Sequence, residues 1–96
     1  MGNNIFITYD LKQKQGETRD YKPVFAAIHA LGTAVHLELS QFYVKTALSA
    51  DDVQKKVWAA MRAGDKLVVV DASNNNAYMP GVSDAVLKKL QGLWNT

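Results

Sequence analysis

The residues best suited to chemistry in this chain are Asp10, His36 and Glu38. His36 and Glu38 are two positions apart in a segment where apolar and polar residues alternate, so both side chains face the same side of a predicted strand. A histidine beside a carboxylate can transfer protons, and the same pair can form a contact between two chains. Asp10 ends an apolar segment, residues 5–9, and its position alone indicates a strand-end carboxylate that hydrogen-bonds the adjacent turn.

Basic residues form a second group directly after Asp10. Residues 12–19 are polar throughout and include a glycine, which indicates a loop. The chain has 11 basic and 9 acidic residues, a net charge of +2, so any basic surface must be local. The predicted patch for nucleic-acid phosphates consists of Lys12, Lys14, Arg19 and Lys22. A solvated loop has the same composition, and that alternative stays open.

Composition excludes several kinds of site. The chain has 96 residues and no cysteine, which rules out disulfides, thiolate zinc sites, iron–sulfur clusters and cysteine nucleophiles. The two histidines, His29 and His36, lie on different predicted elements without the spacing of a zinc site. No apolar segment approaches the ~20 residues that span a bilayer, and no signal peptide is apparent. We therefore expect a cytoplasmic protein without a membrane partner.

The elements that must position these residues alternate between strands and helices. The predicted order is a strand at residues 5–9, a helix from Asp20, two strands within 33–48, a helix capped by Ser49, a strand at 67–70 and a last helix capped by Ser83. Gly32 is expected to end the first helix in a left-handed conformation. The strand at 67–70 is expected to be central, because its apolar run is continuous. Residues 1–96 are therefore predicted to form one α+β domain of ferredoxin-like βαββαβ type, with a four-stranded antiparallel sheet and a C-terminal helix.

Period-two alternation assigns side chains to the two faces of this sheet. Val35, Leu37 and Leu39 are expected to pack against the first two helices, because they form the apolar side of their strand. The opposite face would then be polar and uncovered by this chain. Besides Asp10, the residues predicted on that face, as a surface for a ligand or a second copy, are Thr8, His36, Glu38, Tyr43 and Lys45. Ordinary solvation of an open sheet explains the same polarity.

Four short segments resemble a known superfamily. They are ITYD at residues 7–10, LGTAVHLELSQFYVKT at 31–46, SADDVQ at 49–54 and GDKLVVVD at 64–71. An apolar first strand that ends in Tyr-Asp before a polar loop resembles the small CRISPR-associated adaptation subunit and its VapD-like relatives. The four segments together are more similar to bacterial proteins labelled SinR-like. The resemblance covers about residues 5–90 and supports the fold more strongly than an activity.

The resemblance implies a homodimer with a shared site. In that superfamily two copies pair through their sheets, and the acid that ends the first strand, here Asp10, faces its symmetry mate. In active members this pair is proposed to hold Mg²⁺ or Mn²⁺, for which carboxylate oxygens are suitable ligands. The implied function is a nucleic-acid-associated protein, and the implied reaction is metal-dependent endoribonuclease cleavage with Asp10 as the catalytic residue and metal ligand.

Two further functions remain open at this point. A dimer with the same scaffold can act without catalysis, as an interaction or regulatory module that binds a protein partner in a defence or mobile-element system. A dimer can also bind a small nucleotide between its two sheets. Loss of RNA cleavage in an Asp10→Asn variant would favour the nuclease, whereas a thermal shift with a nucleotide and no turnover would favour the last alternative.

Overall fold

The computed structural model describes residues 2–96, which form a four-stranded antiparallel sheet and three helices. This confirms the predicted α+β class, the antiparallel sheet and the C-terminal helix. Among the described residues, no helix has the length and apolar character needed to cross a membrane. The elements are β1 (Asn3–Asp10), α1 (Lys22–His29), β2 (Thr33–Leu39), β3 (Gln41–Thr46), α2 (Ala50–Trp58), β4 (Lys66–Asp71) and α3 (Asp84–Trp94).

The strands lie in the order β2-β3-β1-β4, with every neighbouring pair antiparallel. The prediction that residues 67–70 form a central strand is wrong, because β4 is an edge of the sheet. The apolar residues of β4 alternate between a buried face and an exposed face of the sheet. Leu67 and Val69 pack against the core beneath the first two helices, whereas Val68 and Val70 are 56% and 50% exposed.

Local sequence signals determine where two of the helices begin. The Ser49 hydroxyl accepts a hydrogen bond from the Asp52 N–H at 3.1 Å, and Ser83 accepts one from the Val86 N–H at 3.4 Å, so both predicted caps are confirmed. Asp20, predicted to cap α1, lies one residue before the N-cap and accepts a hydrogen bond from the Lys22 N–H at 3.0 Å.

Gly32 is constrained by packing and not by its backbone conformation. It does not adopt the left-handed conformation predicted for it, which Gly16, Gly64 and Gly81 adopt instead. A Cβ atom at position 32 would overlap the carbonyl oxygen of Lys45. The chain therefore passes so close to β3 at this position that only glycine fits.

The larger core lies between the sheet and the helices α1 and α2. Strand positions that alternate along β1 and β3 supply one side of it, and the buried faces of the two helices supply the other. The fully buried members from the strands are Ile5, Ile7, Phe42 and Val44, and those from the helices are Val24, Ile28, Val53 and Val57.

A second core lies on the opposite face of the sheet, where α3 packs on β2 and β3. Val35 and Leu37 belong to this core together with Leu90, so the prediction that they pack against the first two helices is wrong. Leu39, predicted to join them, is 63% exposed because the pairing of β2 with β3 is irregular between His36 and Leu39. Both faces of the sheet thus carry helices, and the face predicted to be uncovered is half covered by α3.

Candidate functional site

The surface beside α3 is formed by β1 and β4. Thr8 lies directly opposite Val68, and Asp10 lies directly opposite Lys66. All four side chains therefore point to the same face of the sheet on which α3 packs. All four are exposed. Val70, two residues after Val68 on β4, is on the same face and is also exposed. We call Thr8, Asp10, Lys66, Val68 and Val70 the open half-face.

Asp10 is the carboxylate of the open half-face. It stands at the end of the central strand β1 and is exposed. Among residues 2–96 it forms no ion pair, and no side-chain hydrogen bond there involves it. The hydrogen bond to the adjacent turn, expected from its position alone, is therefore not formed. Its oxygens are available to a ligand from outside the chain.

Thr8 is the second predicted site residue on the open half-face. Its hydroxyl accepts a hydrogen bond from the Gln41 side chain at 3.1 Å. This contact crosses from β3 to β1 on the same face and fixes the hydroxyl two residues before Asp10. Thr8 is thus the one member of the predicted polar face, apart from Asp10, that the structure places on the open half-face.

The loop after Asp10 is held by a buried ion pair that sequence reasoning did not identify. Both guanidinium ends of Arg19 bond the carboxylate of Asp65 at 2.6 Å, and the two side chains are only 7% and 0% exposed. The same carboxylate accepts the backbone N–H groups of Lys12 and Arg62, each at 2.9 Å. We call this the charged clamp. The Arg19 guanidinium holds the pKa of Asp65 far below its usual range, and the carboxylate raises the pKa of Arg19.

The charged clamp divides the predicted basic patch. Arg19 is committed to Asp65, so its guanidinium does not face solvent. Lys12, Lys14 and Lys22 are exposed residues and keep their ammonium groups available to phosphate. Arg62, which was not predicted to contribute, forms an ion pair with Glu17 beside the same loop. The remaining cationic surface near Asp10 therefore consists of lysines.

His36 and Glu38 do not form a pair on the open half-face. His36 lies on the opposite face of the sheet, stacked on Phe42 with ring centroids 4.7 Å apart, and its Nε2–H donates to the Leu39 carbonyl at 2.7 Å. Glu38 has a φ of 66° and accepts the Ser83 N–H at 2.9 Å, a contact that lowers the pKa of Glu38. The predicted common face is wrong for His36, because Val35 and Leu37 on either side of it face α3 and alternation then places His36 on the other side. Glu38 reaches the α3 side, where it contacts the start of that helix and not the open half-face.

Tyr43 and Lys45 attach α3 to the sheet. Tyr43 is fully buried, and its hydroxyl donates to Asn4 Oδ1 at 2.6 Å. Lys45 Nζ donates to the same oxygen at 3.0 Å and to the carbonyl of Trp94 at 3.1 Å. Asn4 Nδ2 donates to the Trp94 carbonyl at 3.0 Å. Burial raises the pKa of Tyr43 to about 12. The predicted open-face location of Tyr43 and Lys45 is therefore wrong.

Asn4 was missed by sequence reasoning although it connects these groups. It is 4% exposed, and its amide makes hydrogen bonds to β3 and to the end of α3. We call Asn4, Tyr43, Lys45 and the Trp94 carbonyl the neutral-centred clamp, since an uncharged amide is at its centre. Asn4 directly precedes the strand predicted at residues 5–9, so its place in the sequence gave no sign that its side chain is buried.

A metal site would require more ligands than one chain supplies at Asp10. Within residues 2–96 no three His, Asp or Glu side chains are grouped so that they can hold a metal ion. A single exposed carboxylate still suits Mg²⁺, which usually keeps several waters and binds through one or two carboxylates together with substrate phosphates. The donor chemistry of Asp10 thus fits a site shared between two copies.

Comparison of the chain with protein-family models, with curated proteins and with solved structures finds no significant match.

Proposed function

We propose that the protein is a nucleic-acid-associated homodimer, of the type found in small CRISPR-associated adaptation subunits and VapD-like proteins, that cleaves RNA with Asp10 from each copy. The observation that carries the proposal is the placement of Asp10. It is exposed, has no ion pair within residues 2–96, and lies on a sheet surface that also exposes Val68 and Val70. Exposed valines beside an unpaired carboxylate favour a surface that is covered by another chain.

The ferredoxin-like fold is part of this proposal. Because adjacent strands are antiparallel, β1 and β2 run in the same direction with β3 between them, and β3 and β4 do so with β1 between them. Helix α1 connects the first of these pairs, and α2 connects the second. Two interleaved βαβ units of this kind support the ferredoxin-like assignment. In it, the central strand β1 carries Asp10 at its end.

Four residues of the open half-face, together with Lys12, would have separate roles. The two Asp10 carboxylates would hold Mg²⁺ or Mn²⁺, and such an ion would activate water and offset negative charge on the phosphate. Lys12 lies two residues after Asp10 and Lys66 faces Asp10 across the strands, so both would neutralise the phosphates that flank the cleaved bond. Val68 and Val70 would be removed from water in the dimer.

The decisive experiment compares wild type with Asp10→Asn on a labelled single-stranded RNA, in the presence of Mg²⁺ or Mn²⁺. We expect the variant to lose cleavage by ~100-fold or more, because an amide neither carries the charge nor binds a hard cation as a carboxylate does. Asp52→Asn, an exposed carboxylate on α2, is the matched control and should retain full activity. Sedimentation equilibrium should show that all three proteins are dimers.

Two results would contradict the proposal. Wild-type protein that does not cleave RNA with either metal, at any pH where it is folded, excludes the nuclease.

Val70→Glu should convert the dimer to monomer, because a carboxylate at this exposed valine would be buried without a partner. A protein that is monomeric before the substitution excludes the shared site.

A non-catalytic dimeric module is the second candidate, and the arginines favour it. Arg19 and Arg62 are engaged with Asp65 and Glu17, so neither presents a free guanidinium to a phosphate. Arginine is the residue that binds phosphate with two parallel hydrogen bonds, whereas lysine binds as a point charge. A wild-type dimer that binds a protein partner and leaves RNA intact would favour this candidate.

A further inference from the structure

A groove lies between α3 and the loop that connects β4 to α3, away from Asp10. It has a volume of about 350 Å³, within the range of small-molecule sites. Its walls combine two aromatic rings, from Tyr78 and Trp94, with three side-chain amides, from Asn76, Gln91 and Asn95. The remaining lining is apolar, and none of the lining residues carries a charge.

The two aromatic rings differ in how firmly they are held. Trp94 is stacked on the buried Tyr43, with ring centroids 5.8 Å apart, and also contacts Phe6 at 6.0 Å. Its carbonyl is held by the neutral-centred clamp. Tyr78 is 84% exposed and has no aromatic neighbour in residues 2–96. The groove thus has one fixed aromatic wall and one aromatic ring that can close over a ligand.

The three amides have hydrogen-bonding capacity that the protein does not use. The side-chain hydrogen bonds that involve residues 71–96 use other groups, such as Asn75 to the Ser73 carbonyl and Asn4 N–H to the Ser73 hydroxyl. The amides of Asn76, Gln91 and Asn95 take part in none of them. Each amide offers both a donor and an acceptor, the combination that pairs with the edge of a nucleobase.

We propose that this groove binds a neutral purine, preferably adenine or adenosine. The purine ring would stack between Tyr78 and the wall formed by Trp94, and an amide would bond its N6 and N7 positions. Because no cation lines the groove, a phosphate on the ligand would gain nothing there. This inference is independent of the cleavage proposed for Asp10, since it uses other residues on another part of the chain.

Fluorescence titration tests the proposal directly. The chain has two tryptophans, so Trp58→Phe leaves Trp94 as the only indole reporter. We expect adenosine to change its emission in a saturable manner, with cytidine weaker and AMP no tighter than adenosine. Gln91→Ala and Tyr78→Ala, made in the same background, should each weaken binding by about tenfold or more, through loss of amide bonding or of stacking.

The controls separate this site from the proposed nuclease. Gln13→Ala removes an exposed amide from the first loop and should leave adenosine binding unchanged. Asp10→Asn should also bind adenosine normally, even if it no longer cleaves RNA. Circular dichroism should show that every variant is folded. Three results would each overturn the proposal: no saturation up to ~1 mM adenosine, Gln91→Ala and Tyr78→Ala variants that bind as tightly as the Trp58→Phe parent, or tighter binding of AMP than of adenosine.

Discussion

The two ends of the central strand β1 are fixed by two buried polar clusters of different chemistry. At the end that carries Asp10, the charged clamp joins Arg19 and Asp65 and holds two loops together. At the other end, the neutral-centred clamp places the amide of Asn4 among Tyr43, Lys45 and the end of α3. In both clusters the central side chain is almost completely buried and its hydrogen-bonding groups are used.

This difference assigns separate tasks to the clusters. The charged clamp holds the loop next to Asp10 in place only while Asp65 is ionised. The neutral-centred clamp fixes a helix through an amide that does not titrate. We therefore expect acid to affect the surface around Asp10 before it affects the attachment of α3.

The largest effect should come from removing the charge of Asp65. Asp65→Asn leaves the Arg19 guanidinium buried without its counter-ion, which we expect to lower the free energy of unfolding by about 3 kcal/mol. Urea unfolding followed by circular dichroism measures this loss. The exposed carboxylate Asp52 provides the control, and Asp52→Asn should have little effect. Equal stability of the two variants would contradict the role assigned to the clamp.

The same cluster predicts the acid dependence of stability. The pKa of Asp65 is lower in the folded protein than in the unfolded chain. Its contribution is therefore complete above the unfolded pKa of about 4 and is lost as the pH falls below it. Wild type should lose stability on acidification from pH 6 to pH 3, and its advantage over Asp65→Asn should shrink. If the advantage of wild type over Asp65→Asn stays constant with pH, the charge of Asp65 is not the source of its stabilisation.

A smaller effect is expected in the neutral-centred clamp. Tyr43→Phe removes one hydrogen bond to Asn4, whose Oδ1 keeps the bond from Lys45. We expect the free energy of unfolding to decrease by about 1 kcal/mol. The decrease should be the same at pH 4 and pH 8, because burial raises the pKa of Tyr43 to about 12 and the phenol stays protonated. A pH-dependent loss would mean that the two clusters are coupled.

The smallest effect should come from Glu38, a β2 residue whose carboxylate contacts the start of α3. Glu38→Gln keeps an oxygen that can accept the Ser83 N–H but removes the negative charge from the helix N-terminus. We expect a slightly lower melting temperature than that of wild type, a smaller shift than Tyr43→Phe causes. Because Glu38 has a lowered pKa, this difference should disappear as wild-type Glu38 becomes protonated in acid. A shift larger than that of Tyr43→Phe would reverse this order.

Sequence reasoning succeeded where the physical cause is local. Ser49 and Ser83 were identified as caps because a cap acts within three residues. The faces of β2 could not be assigned in the same way. An alternating pattern shows that Val35 and Leu37 share a face. It does not show whether that face packs against α1 and α2 or against α3, and in the structure it packs against α3. The pattern also gave no sign of the irregular pairing between His36 and Leu39, which leaves Leu39 exposed.

The residues that were missed depend on contacts between distant parts of the chain. Arg19 and Asp65 are 46 positions apart, and each has an ordinary surface role when considered alone. The continuous apolar run of β4 predicted a central strand. The structure places β4 at an edge of the sheet, and the residues of a strand do not by themselves show whether a second strand lies beside it. Asp10 kept its predicted position at the exposed end of β1, since that position follows from the strand alone.

The attachment of the last helix to the first strand has a consequence for biosynthesis. Asn4 bonds the carbonyl of Trp94, 90 positions later in the chain, so this contact forms only after almost all described residues have been made. Until then Val35, Leu37 and Tyr43 have no cover from α3. A partly synthesised chain would expose this apolar surface and be prone to aggregate. Docking of α3 is thus the step of assembly that removes this apolar surface from water.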